Sequence, residues 1–224
     1  MAIAPDNNRD TGTSTRVQDR LLDAAEELFC DHGFEATTIR DIAAAADCNI
    51  ASINYYFGSK ENLYTEVWRR HLGLMRQTRV ASIEKVMSQN GGKPPLEELL
   101  TSYANAFVEP MVGQNKSRRF IKLMAREMID QHLPHNLFFD EMIIPVMTAF
   151  QKALITTCPG LDESNAQLVI LSIVGQLMHI VHATTMFEQV DNPQLPKLDL
   201  TQAINHIVKF SVAGIRAFAQ EKTE

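Results

Sequence analysis

Hydrogen-bonding and aromatic side chains are concentrated in one short stretch of the sequence, residues 49–57. The spacing of Ile50, Ile53 and Phe57 predicts a short helix with these three side chains facing inward. The other faces carry a hydroxyl, an amide and two phenols, from Ser52, Asn54, Tyr55 and Tyr56. Such groups suit base edges and phosphate oxygens, and the DNA major groove admits one α-helix. A helix this short is not stable alone, so neighbouring elements must position it.

The residues on either side predict a helix-turn-helix. Thr38 can cap a first short helix, and Asp41 completes a capping box three residues later. A tight turn is expected at residues 46–48, and Gly58 can end the second helix in the left-handed conformation. The alternative is an ordinary helical hairpin with its tyrosines in a core. Two short helices joined by such a turn fit the helix-turn-helix better.

A further helix should begin directly after Gly58. Ser59 can cap it, which places Lys60 in its first turn. A lysine beside the exposed N–H groups of a helix start is suited to holding a phosphate. We therefore predict that Lys60 clamps the DNA backbone.

This stretch resembles the N-terminal domain of the TetR family of transcriptional regulators. The matching positions keep a fixed spacing without a gap and are Phe29, Gly33, Phe34, residues 37–43, Ala46 and residues 49–63. The second half is most similar to the CecR-like branch of that family. The resemblance, with the reasoning above, implies DNA contacts from Thr38, Arg40, Ala51, Ser52, Asn54, Tyr55, Tyr56 and Lys60. Two positions depart from the family pattern: Asp47 replaces a usual glycine, and Asn54 replaces a tyrosine that contacts phosphate in many members.

Composition is that of an ordinary globular protein. The chain has 224 residues, of which 45% are hydrophobic and 21% charged, and its formal net charge is −6. That charge argues mildly against nucleic acid, but phosphate affinity depends on where the cations lie. Three cysteines without a CxxC pair, and no signal peptide, indicate a reducing, cytoplasmic location. No stretch is apolar for 18 residues, so we expect no membrane span.

The periodicity of the whole chain predicts an all-α protein. Residues 1–14 read as a flexible tail, 15–62 as the helix-turn-helix DNA-binding domain, and 63–224 as a larger helical bundle for ligand binding and dimerisation. Thr15 is the expected cap of the first helix. A long helix is expected from Lys60, with Arg79 on its wet face, and Pro145 should kink a later helix.

The last two helices are the predicted dimer interface. Residues 162–188 are apolar on nearly all sides, so a partner subunit should cover one of them. Residues 199–220 carry small side chains that allow close helix approach. These two segments resemble the pair through which TetR-family proteins form a four-helix homodimer interface.

No residue pattern indicates catalysis or a cofactor. The sequence contains no GxSxG, P-loop, dinucleotide fingerprint or HExxH. His179 and His182 are one helical turn apart, but no Cys or carboxylate nearby completes a metal site, so we expect no metal. Aromatic, flexible and polar side chains should instead converge on a small-molecule pocket, although the same residues could simply form core. The predicted lining is Tyr103, Phe107, Phe120, Met124, Met128, Gln176 and His179.

The sequence therefore predicts a DNA-binding transcriptional regulator and not an enzyme. The family implies a homodimeric repressor on a palindromic double-stranded operator, released when a small-molecule effector binds the helical body. Two alternatives remain open at this point. One is an all-helical carrier or enzyme with a vestigial DNA-binding head, and the other is a DNA-binding protein without an effector.

Overall fold

The computed structural model describes residues 8–112, 116–188 and 199–220, and these contain helices and loops but no strand. The predicted all-α class is confirmed. The helices are α1 (Asn8–His32), α2 (Ile39–Ala45), α3 (Ile50–Phe57), α4 (Lys60–Gln89), α5 (Leu96–Val112), α6 (Lys116–Asp130), a π-helical turn (Phe139–Ile143), α7 (Ile144–Thr157), α8 (Glu163–Glu188) and α9 (Leu200–Gln220).

The first helix begins earlier than the sequence suggested. The predicted tail, residues 1–14, lies partly outside the described residues, but from Asn8 onward the chain is already helical. Thr15 therefore lies inside α1 and does not cap it. No proline interrupts residues 8–14, and capping preferences are only a weak guide to where a helix starts.

The described chain divides into two compact units. The head unit consists of the residues up to His71 together with Arg118–Leu137, and the body unit consists of Leu72–Ser117 and the residues from Phe138 onward. The head unit is thus larger than the predicted segment 15–62. It also takes in the first turns of α4 and most of α6.

Side chains of α6 attach it to α1 inside the head unit. Arg119 pairs with Glu27 at 3.1 Å, and Lys122 pairs with Asp31 at 3.4 Å. These ion pairs are exposed and contribute little each. A buried hydrogen bond also attaches α6 to α4. In it the Tyr64 hydroxyl donates to the Glu127 carboxylate at 2.9 Å. Burial and this hydrogen bond raise the pKa of Tyr64, so it remains a neutral donor.

An aromatic cluster fills the centre of the head unit. The Phe29 and Tyr64 rings meet edge to face at 4.9 Å between centres, and the Trp68 and Phe120 rings do so at 5.7 Å. Edge-to-face pairs add specific stabilisation to the burial of apolar area. This cluster joins α1, α4 and α6 behind the two short helices.

The body unit has its own core, formed mainly by α5, α7, α8 and α9. At its centre the rings of Tyr103 and Phe150 stack at 4.0 Å. Around them lie buried aliphatic side chains, among them Leu99, Leu100, Leu154, Ile170, Ile173, Leu177 and Ile215. Burial raises the pKa of Tyr103 to about 12.

Pro145 does not kink the middle of one helix, as the sequence suggested. It occupies the first turn of α7, directly after the π-helical turn. Proline has no N–H to donate, and here that gap falls at the junction where the π-helical turn passes into α7. The wider π turn takes up the irregularity instead.

Two side chains of α4 have exchanged their expected environments. Arg79, predicted on the solvent-exposed face, is only 3% exposed, whereas the apolar Leu74 of the same helix is 60% exposed. A straight α-helix has 3.6 residues per turn, so a face read over the first turns drifts along a helix as long as α4.

One side of α8 lies in the body core and the opposite side is exposed. Ile170, Ile173 and Leu177 are buried, while Leu168, Leu171, Met178 and Met186 are exposed. Contrary to the sequence expectation, Glu163–Thr184 is apolar and long enough to cross a membrane by length and composition, with a mean hydropathy of 1.6. A core helix with one further apolar face passes the same test, so this carries little weight.

Candidate nucleic-acid interface

The start of α2 is fixed by the predicted capping box. The Thr38 hydroxyl accepts from the Asp41 backbone N–H at 3.2 Å and donates to the Asp41 carboxylate at 2.6 Å. That carboxylate also accepts from the Thr38 N–H. The hydrogen bond from the Thr38 side chain lowers the pKa of Asp41. The Thr38 hydroxyl is therefore committed to the cap and has no hydrogen left for a phosphate.

The turn between α2 and α3 adopts the expected left-handed geometry. Asp47, which departs from the family's glycine, has φ +50°. Aspartate tolerates this region better than most residues, so the turn forms without glycine. Asn49 then caps α3, because its side-chain oxygen accepts from the Ala51 N–H at 2.9 Å. The sequence argument did not assign this role, although asparagine before a helix is a known capping signal.

Only part of the predicted inward face of α3 is buried. Ile53 and Phe57 are buried, but Ile50 is 37% exposed. Ile50 is the first residue of α3, one turn before Ile53.

The outer face of α3 presents the predicted polar groups. Tyr55 is 81% exposed, and its ring meets that of Tyr56 edge to face at 5.0 Å. Ala51 and Asn54 are exposed, and Ser52 is half-buried. Four different side-chain types on one exposed helix can meet both base edges and backbone.

Lys60 differs from its predicted role. Its ammonium donates to the backbone oxygens of Phe34 at 3.0 Å and Thr37 at 3.2 Å, and it lies 4.1 Å from the centre of the Phe34 ring. These contacts tie the start of α4 to the loop before α2. One of its three N–H groups remains for a phosphate. Ser59 caps α4 as predicted, accepting from the Asn62 N–H at 3.1 Å.

The predicted DNA-contacting residues all belong to the head unit. Arg40 is exposed on α2, where an arginine can contact a phosphate. Gly58 has φ +77°, so the left-handed φ predicted at the end of α3 is present. The structure therefore puts α2, the turn and α3 in a helix-turn-helix, with Tyr55 as its most exposed aromatic ring.

The predicted effector-binding residues fall in both units. Phe120, Met124 and Met128 belong to the head unit, and the other four to the body unit. Phe120 packs against Trp68, while Met128 is 76% exposed.

In the body unit, the Tyr103 and Phe107 rings are buried with centres 6.1 Å apart. Gln176 donates to the Ser172 backbone oxygen of its own helix, and His179 is exposed. That these seven residues together bind an effector stays a prediction.

The body unit has an open pocket of about 650 Å³ that none of these seven residues lines. Its walls come from α4, α5 and the start of α9, and are Thr78, Ala81, Ser82, Lys85, Ser102, Asn105, Ala106, Val108, Glu109, Val112, Leu200, Thr201 and Ile204. Sequence reasoning missed it because the polar members read as ordinary surface positions. Within the described ranges, no group of three or more His, Cys, Asp or Glu residues could hold a metal ion.

Comparison with protein families gives two matches along the chain. Residues 21–67 match the model described as bacterial regulatory proteins, tetR family. Residues 105–214 match a tetracyclin repressor-like C-terminal domain.

Curated proteins that resemble the chain are transcriptional regulators. The HTH-type transcriptional dual regulator CecR of Shigella flexneri is 26% identical over 169 residues, which cover 73% of this chain and 74% of that protein. The HTH-type transcriptional repressor KstR2 of Rhodococcus jostii is 39% identical over 70 residues, covering 31% of this chain and 34% of that protein.

Solved structures share the fold. A protein described as a TetR-family transcriptional regulator from Mesorhizobium loti superposes with a TM-score of 0.65 at 19% identity, covering 90% of this chain and 97% of its own. The fatty acid degradation regulator FadR from Bacillus halodurans gives a TM-score of 0.59 at 21% identity, covering 88% and 98%.

Proposed function

Because the chain belongs to the TetR family of bacterial regulatory proteins, we propose that it is a homodimeric repressor that binds a palindromic operator and is released by a small molecule. Its relatives are DNA-binding transcription regulators and not enzymes. Residues 15–62 carry the DNA-binding function and residues 63–224 carry ligand binding and dimerisation in this proposal. The proposal also implies a location in the cytoplasm, where the operator DNA lies.

The observation that carries the DNA-binding role is the exposure of Tyr55 on a capped and supported α3. A tyrosine that is 81% exposed offers an apolar ring and a hydroxyl together, a combination that is enriched at binding interfaces. In the proposed complex α3 enters the major groove, where Tyr55 and Asn54 meet base edges. Arg40 and the remaining N–H of Lys60 contact phosphates, as do Ser52 and Tyr56 at the groove edge.

The exposed apolar side of α8 supports the proposed dimer. Leu171 lies three residues after Leu168, and Met178 lies seven residues after Leu171, so the three side chains follow one face of the helix. On α9, Phe210 is exposed in the same way. A second copy of the chain, packing residues 162–188 and 199–220 against their equivalents, covers both faces as a four-helix interface.

Effector release follows from the difference in affinity between two states. The reading helices of a dimer must lie about 34–36 Å apart to dock on successive major-groove faces. A ligand that binds better to another spacing lowers the fraction of dimers that fit DNA. The long helix α4 is the proposed connection, since it begins at Lys60 beside α3 and continues into the body unit.

A gel-shift assay against the DNA upstream of the protein's own gene tests this function. We expect a discrete complex that survives an excess of random DNA and is lost on adding a compound that raises the melting temperature of the free protein. Absence of any sequence-preferring complex would contradict the DNA-binding role. A complex that no melting-shift compound releases would leave a DNA-binding protein without an effector.

A further inference from the structure

Among the described residues, one arginine, Arg79, is buried in the core of the body unit. Arg79 is only 3% exposed, although arginine is almost never fully buried without a partner. Its guanidinium lies 4.0 Å from the centre of the Phe107 ring. Its two terminal nitrogens reach the Met142 sulfur at 3.3 Å and the Phe107 backbone oxygen at 3.5 Å. The sulfur is a weak acceptor, and the bond to the backbone oxygen is longer than an ordinary N–H···O hydrogen bond.

The Nε–H of Arg79 has no acceptor among the described residues. Its Nε is buried without a hydrogen-bond partner. Burial lowers the pKa of Arg79, and the only group that opposes this effect is the Tyr103 hydroxyl. No carboxylate of the described chain acts on it. By contrast Arg76, one turn earlier on α4, is half-exposed and pairs with Glu141 at 3.4 Å.

A buried cation without a counter-ion is an expensive feature to retain. Replacing such a charge by an apolar side chain of similar size is often neutral or stabilising. A guanidinium is also the side chain best matched to a carboxylate, because its N–H groups form two parallel hydrogen bonds to the two oxygens. The unpaired Nε and the weakly bound terminal nitrogens therefore point to an anion that is supplied from outside the chain.

The surroundings of Arg79 are aromatic and apolar. Phe107 and Tyr103 belong to α5, and Met142 lies in the π-helical turn ahead of α7. Such turns occur often at functional sites. The Tyr103 and Phe150 rings stack directly on each other, so an entering molecule must separate side chains here. Methionine is well suited to that, since its unbranched side chain repacks easily.

We propose that Arg79 is the anion-binding centre of the effector site, and that the effector is a carboxylic acid with an aromatic or aliphatic body. The carboxylate pairs with the Arg79 guanidinium, and the body lies against Phe107, Tyr103 and Met142. This inference rests on the proposed function, because it names the chemical class of the molecule that releases DNA. Because Arg79 belongs to α4, the bound carboxylate would contact directly the helix that begins at Lys60 in the head unit.

The test compares carboxylic acids with their own amides on the intact protein. Phenylbutanoic, phenylhexanoic and phenyloctanoic acids, and the primary amide of each, are titrated by calorimetry and by melting shift. We expect at least one acid to bind wild type roughly tenfold or more tightly than its amide, as a charged hydrogen-bonded pair allows. In Arg79→Met that ratio should fall to about one. The same acid should release wild-type protein from its DNA.

Two further variants separate a binding role from a structural one. Arg76→Met removes a cation of the same helix that already has a carboxylate partner, and it should keep the acid preference. Arg79→Lys retains the positive charge but not the paired N–H groups of the guanidinium. This variant should keep part of the preference for the acid over its amide. The melting temperature of Arg79→Met without ligand should equal or exceed that of wild type.

Three results would overturn the proposal. They are equal affinity of wild type for each acid and its amide, an acid preference that persists in Arg79→Met, and unfolding of Arg79→Met alongside an Arg79→Lys variant with no acid preference. If DNA is still released by an uncharged compound, the repressor function stands and only the anion site fails. If wild type binds no operator at all, the repressor function fails whichever acids bind.

Discussion

The Lys60 ammonium donates to the Phe34 backbone oxygen at 3.0 Å and lies 4.1 Å from the centre of the Phe34 ring. A second bond to the Thr37 oxygen holds the same group. The lysine that the sequence assigned to a phosphate thus first holds together the loop before α2 and the start of α4. DNA binding can depend on Lys60 through this support as well as through charge.

Replacing Lys60 by alanine should therefore lower stability in the absence of DNA. Loss of two charge-assisted bonds to backbone oxygens should cost about 1–3 kcal/mol of unfolding free energy. Urea denaturation of the free protein measures it. Lys93→Ala removes an exposed lysine of the body unit and should stay within about 0.5 kcal/mol of wild type. Equal midpoints for the two variants would show that the Lys60 contacts carry no stability.

Tyr55→Ala should weaken binding to the cognate operator more than binding to random DNA. The ring is exposed and makes its only ring contact in this structure's described part with Tyr56, so its removal should leave folding intact. We expect a loss of about 1–3 kcal/mol on the operator alone. Anisotropy titrations on both DNAs measure the difference, with Tyr55→Phe separating the hydroxyl from the ring. Equal losses on the two DNAs would identify a backbone contact instead.

Arg40→Ala should weaken binding to all DNA sequences by the same factor. An exposed arginine on α2 contacts phosphate in the proposed complex, so its removal should reduce the slope of log affinity against log salt by about one. Titrations at several salt concentrations supply the slope. The prediction is wrong if affinity falls while the slope stays the same.

A charge placed on the exposed side of the last two helices should separate the dimer without unfolding the chain. Leu171→Asp and Phe210→Asp each bury a lone carboxylate only when a second copy covers that face. Sedimentation should show monomers with wild-type helical content. The control is Ile215→Asp, which places the same charge in the chain's own core and should unfold it. A wild-type protein that is monomeric at micromolar concentration would remove the basis of the prediction.

The stability of the head unit should fall in acid through Glu26. The His71 Nε2 lies 3.3 Å from this buried carboxylate, and the polar contact with His71 lowers the pKa of Glu26 although burial opposes it. A carboxyl group with a lowered folded pKa stabilises the protein above its unfolded pKa, about 4.3 for glutamate. That contribution is lost as the pH falls from there through the lower folded value.

Glu26→Gln should therefore show a shallower loss of melting temperature between neutral and acidic pH than wild type. Glu84→Gln, at an exposed position of α4, matches the change in net charge. Parallel curves for wild type and Glu26→Gln would mean that the Glu26–His71 pair does not contribute.

The helix-turn-helix could be predicted because local chemistry determines it. Thr38 with Asp41, Gly58 and Ser59 each act within three or four residues of their own position, so cap and turn patterns were enough to locate α2 and α3. Aspartate can replace the usual glycine at position 47 for an equally local reason, because it can adopt the left-handed φ that the turn requires.

Contacts between distant parts of the chain could not be predicted in the same way. The Glu27–Arg119 and Tyr64–Glu127 pairs that bring α6 into the head unit join residues far apart in sequence. Arg79 was assigned to the wrong face because charge suggested solvent, while its position on a long α4 turned it into the core. The unpredicted contacts of α6 and the wrong face for Arg79 both depend on which helices pack against each other. A single sequence does not contain that information.

The most direct test of the account is a footprint of the protein on its own upstream DNA. A dimer that reads with two copies of α3 should protect two half-sites whose centres are about 10–10.5 base pairs apart, or a multiple of that spacing, with inverted symmetry. Tyr55→Ala should abolish this footprint at concentrations where wild type is saturated. Uniform protection without half-sites, or a footprint that Tyr55→Ala leaves intact, would contradict the assignment of α3 as the reading helix.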